Sequence, residues 1–232
     1  MLWLSISLAE SVERFPLIRL ATDMIRGKFI TIEGQDGAGK TTNVEVIKRY
    51  LGAASIPFVH SREPGGTALG ESVRELILNS GDERIGDQAE LLLMFAARAQ
   101  HIQEVIEPAL ARGDWLLCDR FTDATYAYQG GGRGMSMTDI ADLEHYVQGD
   151  LRPDLTVLLD LPVEIGEKRA GQRSDPDRFE QQKLKFKQSV RDCYLARAAA
   201  EPARIKVIDA SQSIDAVSDA INATMQDFVA ND

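Results

Sequence analysis

Five short runs of apolar residues recur along the chain: KFITI from Lys28, PFVHS from Pro57, WLLCD from Trp115, LTVLLDL from Leu155 and IKVIDA from Ile205. Most are continuous rather than alternating, which is how strands covered on both faces read. Between them, apolar residues fall at helical spacing over 40–51, 68–78, 87–112, 138–148, 162–171, 178–199 and 212–229. Pro108 is expected to start or kink the last part of the longest helix, because its ring removes a backbone donor. Strands alternating with helices predict an α/β fold of three layers, a five-stranded parallel sheet with helices on both faces. No repeat, low-complexity tract or Pro/Gly-rich linker interrupts the pattern, so residues 24–232 read as one domain.

Residues 1–23 stand outside that pattern. MLWLSISLAESVERF starts apolar but lacks the basic leading segment of a signal peptide. The regular pattern restarts at Met24, just before the first strand. The expectation is either a loosely docked or disordered extension or a start assigned too early. The second reading is preferred, and the mass of the native N-terminus checks it.

Length and charge narrow the function. A chain of 232 residues suits one α/β domain. A net charge of −10 disfavours nucleic acid and anionic membranes, so any basic site must be a local pocket. No apolar run approaches the ~18 residues of a membrane helix. Cys118 and Cys193 have no metal-ligand spacing, and Cys118 lies within WLLC as a buried thiol would. A cytoplasmic location fits.

Chemistry enters with EGQDGAGKTT, Glu33 to Thr42. From Gly34 it reads G-x-x-x-x-G-K-T, between a strand and a helix. Glycines let backbone N–H groups turn inward around a phosphate chain, and the helix N-terminus adds its dipole. Lys40 is expected at the β/γ-phosphates and Thr41 at Mg²⁺. Alone, this loop leaves a motor, a switch, a transporter subunit and a small-molecule kinase open.

Three further stretches discriminate. REPGGT follows the second strand, so Arg62, Glu63 and the Pro64-Gly65-Gly66 turn should border the same crevice. Asp119 and Arg120 end the third strand; Asp119 is suited to Mg²⁺ through water and Arg120 to a second phosphate. Thr125, Tyr126, Tyr128 and Gln129 then precede three glycines, a density of polar and aromatic groups that suits a planar ligand. Arg169, Arg173 and Arg178 surround Gly171 and Pro176, as in a basic lid over phosphates.

In this order the motifs G-x-x-x-x-G-K-T, R-E-P-G-G-T, D-R with T-Y-A-Y-Q-G, and the Arg-rich lid closely resemble bacterial thymidylate kinases, over residues 28 to about 228. The resemblance implies a nucleoside-monophosphate-kinase variant of the P-loop fold. It implies Mg²⁺-dependent transfer of the ATP γ-phosphoryl to dTMP, giving dTDP for dTTP synthesis, by a homodimer. Another nucleoside monophosphate kinase or a deoxynucleoside kinase is the alternative; a P-loop switch or assembly ATPase is the rival of a different class.

The family pattern also implies roles for single residues. ATP would lie against Gly34, Gln35, Asp36, Gly37, Ala38, Gly39, Lys40, Thr41 and Thr42. Asp36 would approach the acceptor sugar and the metal. Arg62 and Glu63 would border the acceptor site, and Arg74 and Arg120 would hold its phosphate. Arg98 would face the thymine carbonyl edge, Thr125 and Gln129 would read the ring, and Tyr128 would pack under the deoxyribose. The family's stacking aromatic falls on Met94 here, with Phe95 beside it; Phe95 is the expected partner of the base. This P-loop carries no arginine at its variable positions, so the catalytic cation is expected from the lid, at Arg173. Catalysis would rest on Lys40, Arg173, Asp36 and Arg120, and on none of the three histidines.

Overall fold

The computed structural model describes residues 26–79, 85–170 and 183–231. Strand β1 (Phe29–Glu33) enters the P-loop, and α1 (Lys40–Ala53) leaves it. Next come β2 (Phe58–Arg62), α2 (Ala68–Leu78) and α3 (Asp87–His101). A π-helical turn, Ile102–Ile106, joins α3 to α4 (Glu107–Ala111). Strand β3 (Trp115–Asp119) is followed by α5 (Thr122–Thr125), which runs on as a π-helix over Tyr126–Gly132. The remaining elements are α6 (Met137–Gln148), β4 (Leu155–Asp160), α7 (Val163–Ala170), α8 (Leu184–Ala200), β5 (Ile205–Asp209) and α9 (Ile214–Ala230).

All described strand pairs are parallel, in the order β2-β3-β1-β4-β5. Each observed strand lies within a residue or so of its expected run. Burial on both sides explains why the runs were legible. On β1, Ile30 and Ile32 pack with Val44, Ile47, Val217 and Ile221 of α1 and α9, while Phe29 packs on Ile106, Leu110 and Phe121 of the opposite layer. Thr31 sits fully buried on the Phe29 side, where its Oγ1 lies 2.7 Å from Thr156 Oγ1 on β4.

One helical expectation held and one helix was unforeseen. The long helix over 87–112 is interrupted before Pro108, because the π turn absorbs the break in donors that proline imposes. The stretch TDATYAYQGGG is helical, although it lies outside the spans of helical spacing; Gly130, Gly131 and Gly132 lie against Met137, Cys193 and Phe186 with no room for a Cβ.

The register brings the strand ends together. Asp119 pairs with Ile32 on one side and Arg62 on the other, so β1, β2 and β3 end at one level, beyond which ligands of such sheets bind. Helix α1 begins there from Gly39, at φ 87°, with no side-chain cap. Helices α2, α6 and α9 are instead capped by Thr67, Ser136 and Ser213. The open N–H groups of α1 suit an anion. Gly34 is required by contact: at φ 139° an added Cβ would stand 2.6 Å from the Leu159 carbonyl oxygen.

Candidate active site

Lys40 folds back over the loop that precedes it. Its Nζ donates to the carbonyl oxygens of Gly34 at 2.9 Å and Gln35 at 3.1 Å, and lies 3.9 Å from Asp36 Oδ1. Burial and the charge of Arg120 push its pKa down to about 8, against opposing pulls from Asp36 and Asp119. Burial alone would raise Asp36, but the positive charges of Arg120 and Lys40 hold its carboxyl at about 2.

Arg120 is the centre of the crevice. It is one of two non-glycine residues with positive φ among those described, at 67°, a conformation that costs on the order of 1–3 kcal/mol. Its N–H donates to the Ile32 carbonyl at 3.0 Å, and the next N–H, of Phe121, donates to Glu33 Oε1 at 2.7 Å. Those bonds hold the turn. They also explain a buried acid that the sequence left unassigned: Glu33 Oε2 accepts from Tyr194 at 2.7 Å, and burial together with the Asp123 charge pushes Glu33 up to about 8. The Arg120 side chain donates to Asp36 Oδ1 at 2.7 Å and to the Tyr128 hydroxyl at 3.1 Å, with its guanidinium 5.3 Å from the Tyr128 ring centroid.

Beside this cluster opens a narrow pocket continuous with solvent. Asp36, Arg74, Arg120, Met94, Tyr128 and Gln129 line it, with Pro64, Leu78 and Ala124. Arg74 donates to the Pro64 carbonyl at 3.0 Å. Burial and the nearby Arg62 and Arg120 charges push Arg74 below the ordinary guanidinium value, against the pull of Glu71 and Asp119. Among the described residues that line the pocket, Arg74 and Arg120 carry positive charge and Asp36 alone carries negative charge.

A buried polar chain runs behind the pocket. Ser61 Oγ lies 2.6 Å from His101 Nε2, and His101 Nδ1 lies 2.9 Å from Glu63 Oε1. Glu63 Oε2 accepts from Arg98 Nε at 2.7 Å, and Arg98 Nη2 donates to Thr125 Oγ1 at 3.0 Å. The donor Arg98 Nη1 and the acceptor Gln129 Oε1 are buried without a partner, as are Arg120 Nε and Asp119 Oδ1. Gln129 lines the pocket, and Arg98 is tied to it through Thr125, four residues earlier on the same helical stretch.

Several expected residues stand elsewhere. Phe95 does not line the pocket; its ring packs with Leu91, Tyr126 and Ile140 and lies 4.9 Å from the Arg98 guanidinium, and Met94 occupies the pocket wall instead. The phase of α3 sets this, since consecutive helical residues point about 100° apart. Arg62 points away from the pocket, half exposed and bonded to Glu71 at 2.8 Å. Arg169 lines a second cavity with Gly37, Thr42, Ala210, Gln212 and Ile214, where its Nη1 donates to the Ala210 carbonyl at 2.9 Å. Arg173 and Arg178 lie outside the described residues. Glu33, Glu90 and the Ser61–His101 pair escaped sequence reasoning, because isolated polar letters inside apolar elements carry no spacing signal.

The metal-ligand expectation can be tested on the donor set. Asp119 Oδ1 is buried with no hydrogen-bond partner, and Thr41 stands exposed in the first turn of α1. A carboxylate oxygen and a hydroxyl near a phosphate cradle fit Mg²⁺, a hard cation that keeps water and phosphate in its shell.

A family model described as thymidylate kinase matches residues 32–221. The chain is 56% identical over 203 residues to the thymidylate kinase of Pseudomonas syringae pv. tomato, covering 88% of this chain and 97% of the relative. It is 60% identical over 188 residues to that of Pseudomonas syringae pv. syringae, covering 81% and 90% respectively. Among solved structures, the thymidylate kinase of Ehrlichia chaffeensis superposes with a TM-score of 0.71 at 33% identity, over 87% of this chain and 99% of that one.

Proposed function

The chain belongs to the thymidylate kinase family, whose activity is the phosphorylation of dTMP, and from that membership we propose how its residues divide the work. The observation that carries the reading is Asp36, which bonds Arg120 of the pocket at 2.7 Å and lies 3.9 Å from Lys40 of the phosphate loop. An acceptor pocket and a donor cradle thus share one wall.

ATP lies with its phosphates against the P-loop N–H groups, Lys40, Thr41 and Thr42, and its adenine in the cavity beside Arg169 and Ala210. The dTMP phosphate is held by Arg74 and Arg120. Tyr128 packs against the deoxyribose, and Met94 covers the base, replacing Phe95 in that role. Arg98, Thr125 and Gln129 meet the base edge. Thr41 and Asp119 would hold Mg²⁺, which when bound neutralises phosphate charge.

A dTMP phosphate oxygen attacks the γ-phosphorus, and the bond to the β-γ bridging oxygen breaks, releasing ADP. The acceptor oxygen is already anionic, so no general base is needed. The side chains contribute alignment and charge, which is what phosphoryl transfer requires. Arg173 supplies the cation at the migrating phosphoryl. Arg173→Ala should lower kcat by about 10³-fold or more while ATP affinity stays nearly intact. A kcat within about twofold of wild type would refute that role.

The substrate assignment is tested with dTMP, dUMP, dCMP, dGMP and thymidine, each with ATP. Preferred turnover of dTMP is expected, and ATP hydrolysis indifferent to every monophosphate would return the switch-ATPase reading. A homodimer is part of the proposal. The packed helices α2 and α3 leave Leu69, Leu76 and Leu92 about half exposed, as helices that meet a second copy would. Sedimentation equilibrium should give a dimer that Leu92→Glu weakens; a monomer at micromolar concentration would remove this element.

A further inference from the structure

We propose that Glu90 is a positioning residue that fixes the Gln129 side-chain amide in one orientation and so sets which pyrimidine edge the pocket accepts. The inference rests on the reading that Gln129 meets the base, and extends it to a residue outside the pocket wall.

Glu90 lies in the first turn of α3 and is fully buried. Its Oε1 accepts from Gln129 Nε2 at 2.8 Å, while its Oε2 is approached by Arg133 Nη2 at 3.3 Å. The Arg133 guanidinium faces Glu90 at 3.3 Å, and a carboxylate paired with a guanidinium acts only as an acceptor. A carboxylate in that place admits one orientation of Gln129: the NH₂ toward Glu90, the carbonyl away from it. The result is the buried, unpartnered Oε1 on a residue that lines the pocket. The unpartnered Nη1 of Arg98 supplies a donor in the same region.

Donor and acceptor together define a code. Thymine and uracil present a carbonyl oxygen next to a ring N–H, which satisfies both atoms. Cytosine presents an amino group next to an unprotonated ring nitrogen, so donor would face donor and acceptor face acceptor. A buried polar group facing a like group excludes the ligand strongly. Were Gln129 free to turn over, its NH₂ could meet the cytosine ring nitrogen and the exclusion would weaken. The lock therefore acts on the donor–acceptor pattern of the ring edge and not on the 5-methyl group.

Glu90→Gln tests this, because the substituted amide can donate or accept and no longer dictates the orientation of Gln129. Steady-state kcat/KM is measured for dTMP, dUMP and dCMP with ATP, beside the thermal midpoint. The expected result is a fall of about tenfold or more in the dTMP:dCMP ratio with the dTMP:dUMP ratio unchanged. Glu90→Asp keeps an acceptor-only group and should hold the dTMP:dCMP ratio within about twofold of wild type, at whatever cost in rate. An unchanged dTMP:dCMP ratio in Glu90→Gln, parallel losses on all three substrates, or a ratio lost in Glu90→Asp would each overturn the proposal. Gln129→Ala separates the two levels. If it abolishes pyrimidine discrimination while Glu90→Gln does not, only the lock fails. If it leaves discrimination intact, the contact between Gln129 and the base fails as well.

Discussion

Lys40→Met is expected to reduce kcat/KM for ATP by about 10²–10³-fold, with dTMP binding to the nucleotide-free enzyme little changed. The side chain spends its donors on the Gly34 and Gln35 carbonyls, inside the loop proposed to wrap the phosphates. It therefore both shapes the cradle and carries its one lysine charge. Methionine fills similar volume but can neither bind the carbonyls nor meet a phosphate oxygen. Because a lysine at the transferred group acts on charge that develops in the transition state, the loss should fall mainly on kcat rather than on KM. Rapid-quench single-turnover measurement separates the two, and a chemical step within about tenfold of wild type would sink the assignment.

The same lysine predicts a pH dependence. In the free protein its pKa is pushed down to about 8 by burial and by Arg120. A triphosphate stabilises the charged ammonium and raises that pKa in the complex. ATP binding should then take up protons near pH 8, and affinity should weaken as pH rises above 8, by at most about tenfold per unit. Below about 7 the lysine is already charged and this dependence should vanish. Isothermal titration in buffers of different ionisation enthalpy reads the proton uptake directly.

The contrast between what was readable and what was not follows from interaction range. The strands were legible because each apolar run is buried on both faces, a local signature of a covered parallel sheet. The P-loop was legible because its glycines, lysine and flanking elements are contiguous. Met94 and Phe95 were not resolved by sequence, because a single helical step decides which faces the pocket. The helix through Tyr126 and Gly132 was hidden by glycine propensity, which close packing against Phe186 and Cys193 overrides. Glu90 and Gln129 lie 39 residues apart, so their bond leaves no mark in either local stretch. The resemblance to a known family supplied roles for Arg74, Arg98 and Tyr128 that no periodicity contains; the geometry adds what those groups touch.

Glu63→Ala should be the most destabilising single change near the site, by about 3–5 kcal/mol. Glu63 is almost fully buried and serves two groups at once, Arg98 at 2.7 Å and His101 at 2.9 Å. Its removal leaves the fully buried Arg98 guanidinium without its carboxylate, and the penalty is the cost of that stranded charge more than the worth of the pair. That distinction is measurable. If the stranded charge dominates, Glu63→Ala/Arg98→Met should be more stable than Glu63→Ala alone, because methionine returns an apolar group to an apolar surround beside Phe95 and Phe121. Urea unfolding of wild type, both single variants and the double variant closes the cycle. A loss below about 1 kcal/mol in Glu63→Ala would mean that Arg98 finds water or another acceptor, and the rigid polar chain from Ser61 to Thr125 would no longer account for how Arg98 is held. Activity should follow the same logic: the double variant regains stability but not dTMP recognition, because the donor proposed to meet the base edge is gone.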